Sequence, residues 1–289
     1  MNRLLFALFL ICTVGATSCT TRTTIPETYD DSTTFAQANG IPIPAESLKC
    51  TQYQFKNLFG APQTITILEI DSSQRNRIHL ASDTILTTTD TLAMRFDALA
   101  AINGSYFDMV NGNPICYLRI NNKELGINVP QFKTSIHRKY YQYASLCISS
   151  NQLLITVPDS AINDERSMPY PNIMTAGPML RNNNQDVPQK MDRTFVTQRH
   201  NRTALGIRQD GSIVLVVADG RFYNEAQGLT LPQLVTLMRW LGCVDAINLD
   251  GGGSTTMYLR RQGIINYPSD NGQFDHAGTR YVSSIIYVK

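Results

Sequence analysis

The sequence predicts a strand-rich α+β or α/β domain, with a mixed sheet and few helices in a single domain. Three observations carry that expectation. Apolar runs of strand length outnumber helical patterns. Only one stretch has a clear helical stripe, and two strand-like runs flank it at the spacing of a crossover unit.

Taken in order, ITILEI (65–70) alternates as a half-buried strand does. DTLAMRFD (90–97) reads as a short helix leading into the strand ALAAIN (98–103). YASLCIS (143–149) and QLLITV (152–157) read as a hairpin through Ser150 and Asn151. IVLVVA (213–218) follows the turn QDG and is apolar throughout, as a strand covered on both faces would be. LPQLVTLMRWL (231–241) puts Leu234, Leu237, Met238 and Leu241 on one stripe. Thr230 and Gln233 have capping-box spacing, Pro232 falls in the first turn, and Gly242 can end the helix. VDAINL (244–249) completes a candidate parallel crossover with 213–218, and YVSSIIYV (281–288) is the last strand.

Non-globular sequence precedes these elements. Residues 1–18 carry one charge, Arg3, then an apolar run from Leu4 to Val14 and small residues before Cys19. That layout is a secretory signal, too short to span a membrane. A cysteine at this point resembles a bacterial lipoprotein signal, with a plainly cleaved signal peptide as the alternative. The lipoprotein reading implies export to the cell envelope and membrane attachment through a lipid on Cys19. Residues 19–45 are rich in Thr and Pro, lack an apolar period and read as a tether. From residue 46 to 289 the composition is globular, with no second linker and no internal repeat, so one domain is expected.

Charge narrows the function classes. Losing Arg3 with the signal takes one of 25 basic residues and leaves near-equality with the 23 acidic ones. Such a chain has no electrostatic footprint for nucleic acid, and any anion must be held by a local constellation. Cys50, Cys116, Cys147 and Cys243 match no metal-binding spacing. Export permits disulfides among them, but apolar surroundings favour inert buried thiols at Cys116, Cys147 and Cys243.

Three apolar runs end alike: ALAAIN enters Gly104, IVLVVAD enters Gly220, and AINLD enters Gly251, Gly252 and Gly253. Ligands in open crossover sheets collect outside the carboxyl ends of strands, so Asn103, Asp219 and Asp250 are candidates to share one crevice. Asn-Gly and Asp-Gly are also ordinary turn dipeptides. The glycine triplet lacks the lysine of a Walker loop and the spacing of a dinucleotide fingerprint. Consecutive bare amides can instead cradle an anion, helped by the hydroxyls of Ser254, Thr255 and Thr256; a glycine bulge is the plainer alternative. Arg202 and Arg221, beside turns, can clamp an oxyanion with paired hydrogen bonds. His200 adjoins the Arg202 segment as a candidate proton carrier. Tyr106 could stack on a sugar face. The histidines form no zinc-hydrolase pattern, and no G-x-S-x-G occurs.

Six motifs occur in order: Asn103 to Phe107, Ala176-Gly177-Pro178-Met179-Leu180, Arg202-Thr203-Ala204-Leu205-Gly206, Asp219-Gly220-Arg221, Gly228-Leu229-Thr230-Leu231, and Asn248 to Thr255. Together they resemble the phosphodiester glycosidase domain family over about residues 90–289. Asn266-Tyr267-Pro268 and Arg280-Tyr281-Val282 fit the family's ending. Ser105 stands where the family often has a second glycine, Thr279 where it commonly has Glu, and residues 46–89 carry no matching motif.

The resemblance implies hydrolysis of a sugar-1-phosphodiester, of N-acetylglucosamine type, on a glycan or glycolipid. The products are a free sugar and a phosphomonoester, and no cofactor is required. The residues' own chemistry makes Asp250 and Asp219 the candidate catalytic carboxylates for that reaction, with His200 as the candidate proton carrier. Asn103, Gly104, Tyr106, Gly177, Arg202, Thr203, Gly220, Arg221, the 251–255 segment and Arg280 would then line the substrate site. Two alternatives stay open: a phosphodiesterase using Ca²⁺ or Mg²⁺ held by Asp219, Asp250 and Asn103, and a non-catalytic glycan-binding lipoprotein.

Overall fold

The apolar run at 213–218 becomes the strand Ile213–Ala218, and its alternation divides the interior in two. Ile213, Leu215 and Val217 enter one core, while Val214, Val216 and Ala218 enter another on the opposite face. The computed structural model describes residues 30–130, 138–158, 163–189 and 193–289, and Asp31–Lys289 forms one compact unit. The signal segment and Cys19 lie outside the described residues.

Ile213–Ala218 sits inside an eight-stranded sheet. From one edge the order is Ile41–Ile43, Lys49–Leu58, Ala61–Ile70, Ile213–Ala218, Arg202–Arg208, Cys243–Asn248, Met179–Asn182 and Gln185–Asp186. The helix Leu231–Trp240 covers one face, burying Leu231, Leu234, Leu237 and Met238. Thr230 accepts from the Gln233 amide while the Gln233 side chain accepts from the Thr230 amide, closing the expected capping box. The other face shares its core with two five-stranded sheets, through residues such as Leu146, Met174, Ile102 and Ile286. The strand-rich, helix-poor single domain is therefore as expected.

Sheet order differs from the simplest expectation. Each paired ladder among the described residues is antiparallel. Ile213–Ala218 and Cys243–Asn248 run in the same direction, as a crossover through the helix requires. They are not neighbours, because Arg202–Arg208 lies between them and pairs with both. The short QDG turn folds Arg202–Arg208 back first and occupies that edge, which an apolar pattern cannot reveal. The 143–157 hairpin forms as read, with Ala144–Ile148 against Leu153–Thr156.

The part read as tether is shorter than composition suggested. Asp31–Ala36 is helical and Ile41–Ile43 pairs with Lys49–Leu58. Phe35 anchors this stretch, with its ring 5.6 Å from Trp240 and 6.0 Å from Phe55. Asp31 adds a hydrogen bond, its Oδ1 accepting from the Phe59 amide at 2.8 Å. Residues 46–89, which carry no family motif, supply two strands of the large sheet and the strand Ile78–Thr88 beside Tyr281–Val288. Cys50, Cys116, Cys147 and Cys243 are buried free thiols, each pushed up to about 12 by burial.

Candidate active site

Antiparallel register builds the site. Arg202 pairs with Ala218, and Ala204 with Asn248, so the start of one strand meets the ends of two others. Asn103 ends a strand of a different sheet and laces the assembly together. Its Nδ2 donates to the Asp250 carbonyl at 2.7 Å. Its Oδ1 accepts from Thr203 Oγ1 at 2.8 Å and from the Thr256 amide at 3.2 Å. Gly104 allows that approach: a Cβ there would fall 2.5 Å from Ser284 Oγ, while its carbonyl accepts from the Asp250 amide. Asn103, Gly104 and Thr203 are thus the frame behind the site, with their polar groups already satisfied.

A cavity of about 200 Å³ opens in front of that frame, lined by Tyr106, Phe195, His200, Asn201, Arg202, Arg221, Asp250, Gly251 and Gly252. Asp250 is its single carboxylate. Burial pushes the Asp250 carboxyl up to about 6, against the lowering effects of the Ser254 hydroxyl, the Gly251 amide and, more weakly, Arg280. His200 is held below its ordinary value by burial and by the charges of Arg202 and Arg221, so it is neutral at pH 7. The cavity therefore presents two proton acceptors beside two guanidiniums at neutral pH.

The arginines differ in how they serve. Arg202 is buried, its Nε donates to the Leu229 carbonyl at 3.0 Å, and its Nη2 donates to the carbonyls of Phe195 and Gln198. Its guanidinium lies 5.0 Å from the centre of the Phe195 ring. Desolvation lowers it to about 10, so it stays cationic at neutral pH. With Nε and Nη2 engaged, Arg202 supplies charge more than a free fork. Arg221 is exposed, adopts a φ of 70°, and forms no ion pair among the described residues. It is the guanidinium available to grip an oxyanion.

The glycine triplet is explained by three different neighbours. A Cβ on Gly251 would meet the Asn201 carbonyl oxygen at 2.6 Å. One on Gly252, where φ is +61°, would meet Arg221 Nη2 at 2.8 Å. One on Gly253 would meet Asp270 Oδ1 at 2.5 Å and the guanidinium carbon of Arg280 at 2.6 Å. The expected anion cradle of bare amides is not what forms. The amides of Gly251, Gly252, Ser254 and Thr255 donate to Asp250 Oδ1, Asn201 O, Gly251 O and Gly252 O respectively. The turn closes on itself as a short 3-10 segment, Gly252–Ser254, and its glycines serve close approach instead.

Other candidate residues fall outside the cavity lining. Asp219 is fully buried: Oδ1 accepts from Asn266 Nδ2 at 2.8 Å and from the Tyr267 amide at 3.0 Å, while Oδ2 has no partner among the described residues. Burial pushes its carboxyl up to about 7. Asp219 and Asp250 therefore do not face one another across a shared crevice. Nor do Asp219, Asp250 and Asn103 form one ligand set, since the Asn103 oxygen is taken by two donors. No cluster of three metal-ligating His, Cys, Asp or Glu side chains occurs among the described residues. Arg280 is ion-paired to Asp270 at 2.5 Å and reaches Asp250 only through its field. Gly220 packs against the 200–201 backbone, and Thr255 accepts from Thr203 at 3.3 Å.

Tyr106 crosses from frame to cavity. Its hydroxyl donates toward the carbonyls of Gly177 (2.9 Å) and Leu249 (3.1 Å) and accepts from Asn248 Nδ2 at 2.8 Å, and burial together with Asp250 raises its pKa. Its ring lies 4.9 Å from Tyr141, and Tyr140 lies 4.6 Å from Phe195, which gives the cavity an aromatic flank. Behind Tyr106, Ser105 donates to the Thr175 carbonyl, and Thr175 donates to Glu165, which forms a buried ion pair with Arg138. Phe195, Asn201, Tyr140, Tyr141 and the Arg138–Glu165 pair were not readable as site residues. Asn201 alone had a signal, its place between His200 and Arg202.

Comparison with known proteins follows the same segments. The family model described as phosphodiester glycosidase matches residues 96–289. Over 95 residues the chain is 42% identical to N-acetylglucosamine-1-phosphodiester alpha-N-acetylglucosaminidase of Mus musculus and 40% identical to that of Homo sapiens. Those matches cover 32% of this chain and 18% of each relative, so the likeness spans under a fifth of the curated proteins' length. The solved catalytic domain of the zebrafish N-acetylglucosamine-1-phosphodiester alpha-N-acetylglucosaminidase superposes with a TM-score of 0.66 at 18% identity, covering 86% of this chain and 87% of that one. This likeness establishes a shared fold.

Proposed function

The chain belongs to the phosphodiester glycosidase family, and from that premise we propose that it hydrolyses a sugar-1-phosphodiester of N-acetylglucosamine type at the sugar C1–O bond. One observation carries the proposal: the cavity holds two arginines that lack carboxylate partners among the described residues, beside a single half-buried aspartate. Arg221 binds the phosphate, and Arg202 adds a fixed positive charge in a desolvated wall. The leaving group is a phosphate monoester, already a weak base, so charge stabilisation matters more than protonation. Asp250 activates the attacking water or attacks C1 itself, and neutral His200 accepts a proton nearby. The aromatic flank of Tyr106 and Phe195 packs the sugar face. A cavity of about 200 Å³ lies below the range for drug-sized ligands, consistent with one small ring. The signal-like layout of residues 1–18 before Cys19 supports, separately, a domain held in the cell envelope by a lipid on Cys19.

The experiment is release of free sugar from an N-acetylglucosamine-1-phosphodiester by the purified protein, with and without chelator. The wild type should release sugar in both, and Asp250→Asn should lose about a thousandfold in kcat. Because Asp250 acts deprotonated, kcat/KM should fall about tenfold per pH unit below about 6, the value to which burial raises it. Absence of release by the wild type, or activity that needs added metal, would defeat the proposal.

A further inference from the structure

Glu165 and Arg138 form an ion pair with both side chains shut off from solvent. The contact is double: Arg138 Nη1 donates to Oε1 at 2.6 Å and Nη2 donates to Oε2 at 3.0 Å. Thr175 Oγ1 also donates to Oε1, at 2.7 Å, and Asn128 Nδ2 donates to Oε2, at 3.1 Å. Burial alone would raise the Glu165 carboxyl. Hydrogen bonds from Arg138 and Thr175, with the Arg138 charge, hold it below its ordinary value, so it is ionised at neutral pH. Such a pair gives a fold little stability over apolar packing, whereas the directions of its hydrogen bonds fix the segments that it joins.

Two of those donors lead to the cavity wall. Arg138 Nη1 donates on to the Gln142 carbonyl at 3.2 Å. The Gln142 side chain accepts from the Lys139 amide and donates to the Ile115 and Val129 carbonyls. The turn Tyr140–Gln142 is thereby held at both ends, and it carries two rings. That of Tyr141 lies against Tyr106, and that of Tyr140 against Phe195. Thr175 reaches the same wall along the strand Asn172–Ala176. Its carbonyl accepts from Ser105, the neighbour of Tyr106, and the Gly177 carbonyl accepts from the Tyr106 hydroxyl. Tyr106 and Phe195, which line the cavity, are thus both braced by segments that meet at Glu165. Since the Tyr106 hydroxyl is engaged with Gly177, Leu249 and Asn248, its ring offers a sugar shape rather than a hydrogen bond. Shape selects only if the ring is held in place.

We propose that Glu165 is a positioning residue: through Arg138 and Thr175 it holds Tyr106 and Phe195 in the one arrangement that discriminates between sugars at the cavity. The proposal rests on the phosphodiester glycosidase reading above and extends it to selection of the sugar ring. Glu165 is fully buried and acts only through its neighbours.

The test compares the methyl phosphodiesters of N-acetylglucosamine and N-acetylgalactosamine, which differ only in the direction of the 4-hydroxyl. The wild type should favour the first at least about tenfold in kcat/KM. Arg138→Met/Glu165→Leu replaces the pair with apolar side chains and should lower that ratio about tenfold, toward unity. Thr175→Val removes one donor at nearly constant shape and should lower it about threefold. The ratio is decisive, because a loss of stability reduces the amount of folded enzyme and moves both rates alike. A wild-type ratio in the folded double variant, or in Thr175→Val, overturns the positioning role while leaving the hydrolase reading intact. If the double variant fails to fold, Thr175→Val decides by the same ratio. A wild type without preference for the first sugar also overturns the role, and one that cleaves neither overturns both readings.

Discussion

Two aspartates with the same sequence signature, each at the end of an apolar run and before glycine, have different fates. Asp250 lines the cavity, and Asp219 is fully buried outside its lining. The sign of Asp219's pH effect follows from its pKa, raised in the folded state to about 7 from an ordinary value near 3.9 when unfolded. The folded protein then binds the extra proton between those values. Its stabilising contribution is complete below about pH 4 and is lost as pH rises through about 7. The loss amounts to about 4 kcal/mol at most, from three pKa units at 1.36 kcal/mol each. Asp219→Asn keeps an acceptor for Asn266 and Tyr267 and removes the titration. Thermal melts should show the variant gaining on the wild type above pH 7 and losing that advantage near pH 5. A constant difference across pH would contradict the assignment.

The glycine turn at 251–253 shows why an element can be recognised from sequence and still misread. The unusual spacing signals that the backbone must be bare, but not what approaches it. Asn201, Arg221 and the Arg280–Asp270 pair come from distant positions, and only the fold delivers them. Their chemistry predicts unequal costs. Ala at 251 meets a backbone carbonyl that is itself tied to the Gly252 amide, and it cannot move aside. Ala at 253 meets side-chain ends that can rotate away. Denaturant unfolding should show Gly251→Ala costing about 2–3 kcal/mol and Gly253→Ala less, with the rank order as the decisive readout. The helix Leu231–Trp240, by contrast, was readable almost to the residue, because its cap, stripe and stop are all local.

At the scale of the molecule, the stretch before residue 46 belongs to the fold. Trp240, the protein's single tryptophan, stacks between Phe35 and Phe59, with ring centres 5.6 and 5.1 Å away. A chain starting at residue 46 loses Phe35 and the edge strand Ile41–Ile43. It should melt several degrees below a chain starting at residue 30, and its tryptophan emission should shift to the red. Equal melting temperatures and emission would mean that the stretch contributes nothing to the domain. Strand identity, the helix and the family were determined by the sequence itself, since each rests on local periodicity, capping chemistry or ordered motifs. Tertiary structure alone decided that Arg202–Arg208 divides the crossover, that Asp219 is buried away from the cavity lining while Asp250 joins it, that the four cysteines are free thiols, and that Phe195 and Asn201 join the cavity wall. Burial and partnership depend on which distant segments meet, and residue type and spacing do not encode that meeting.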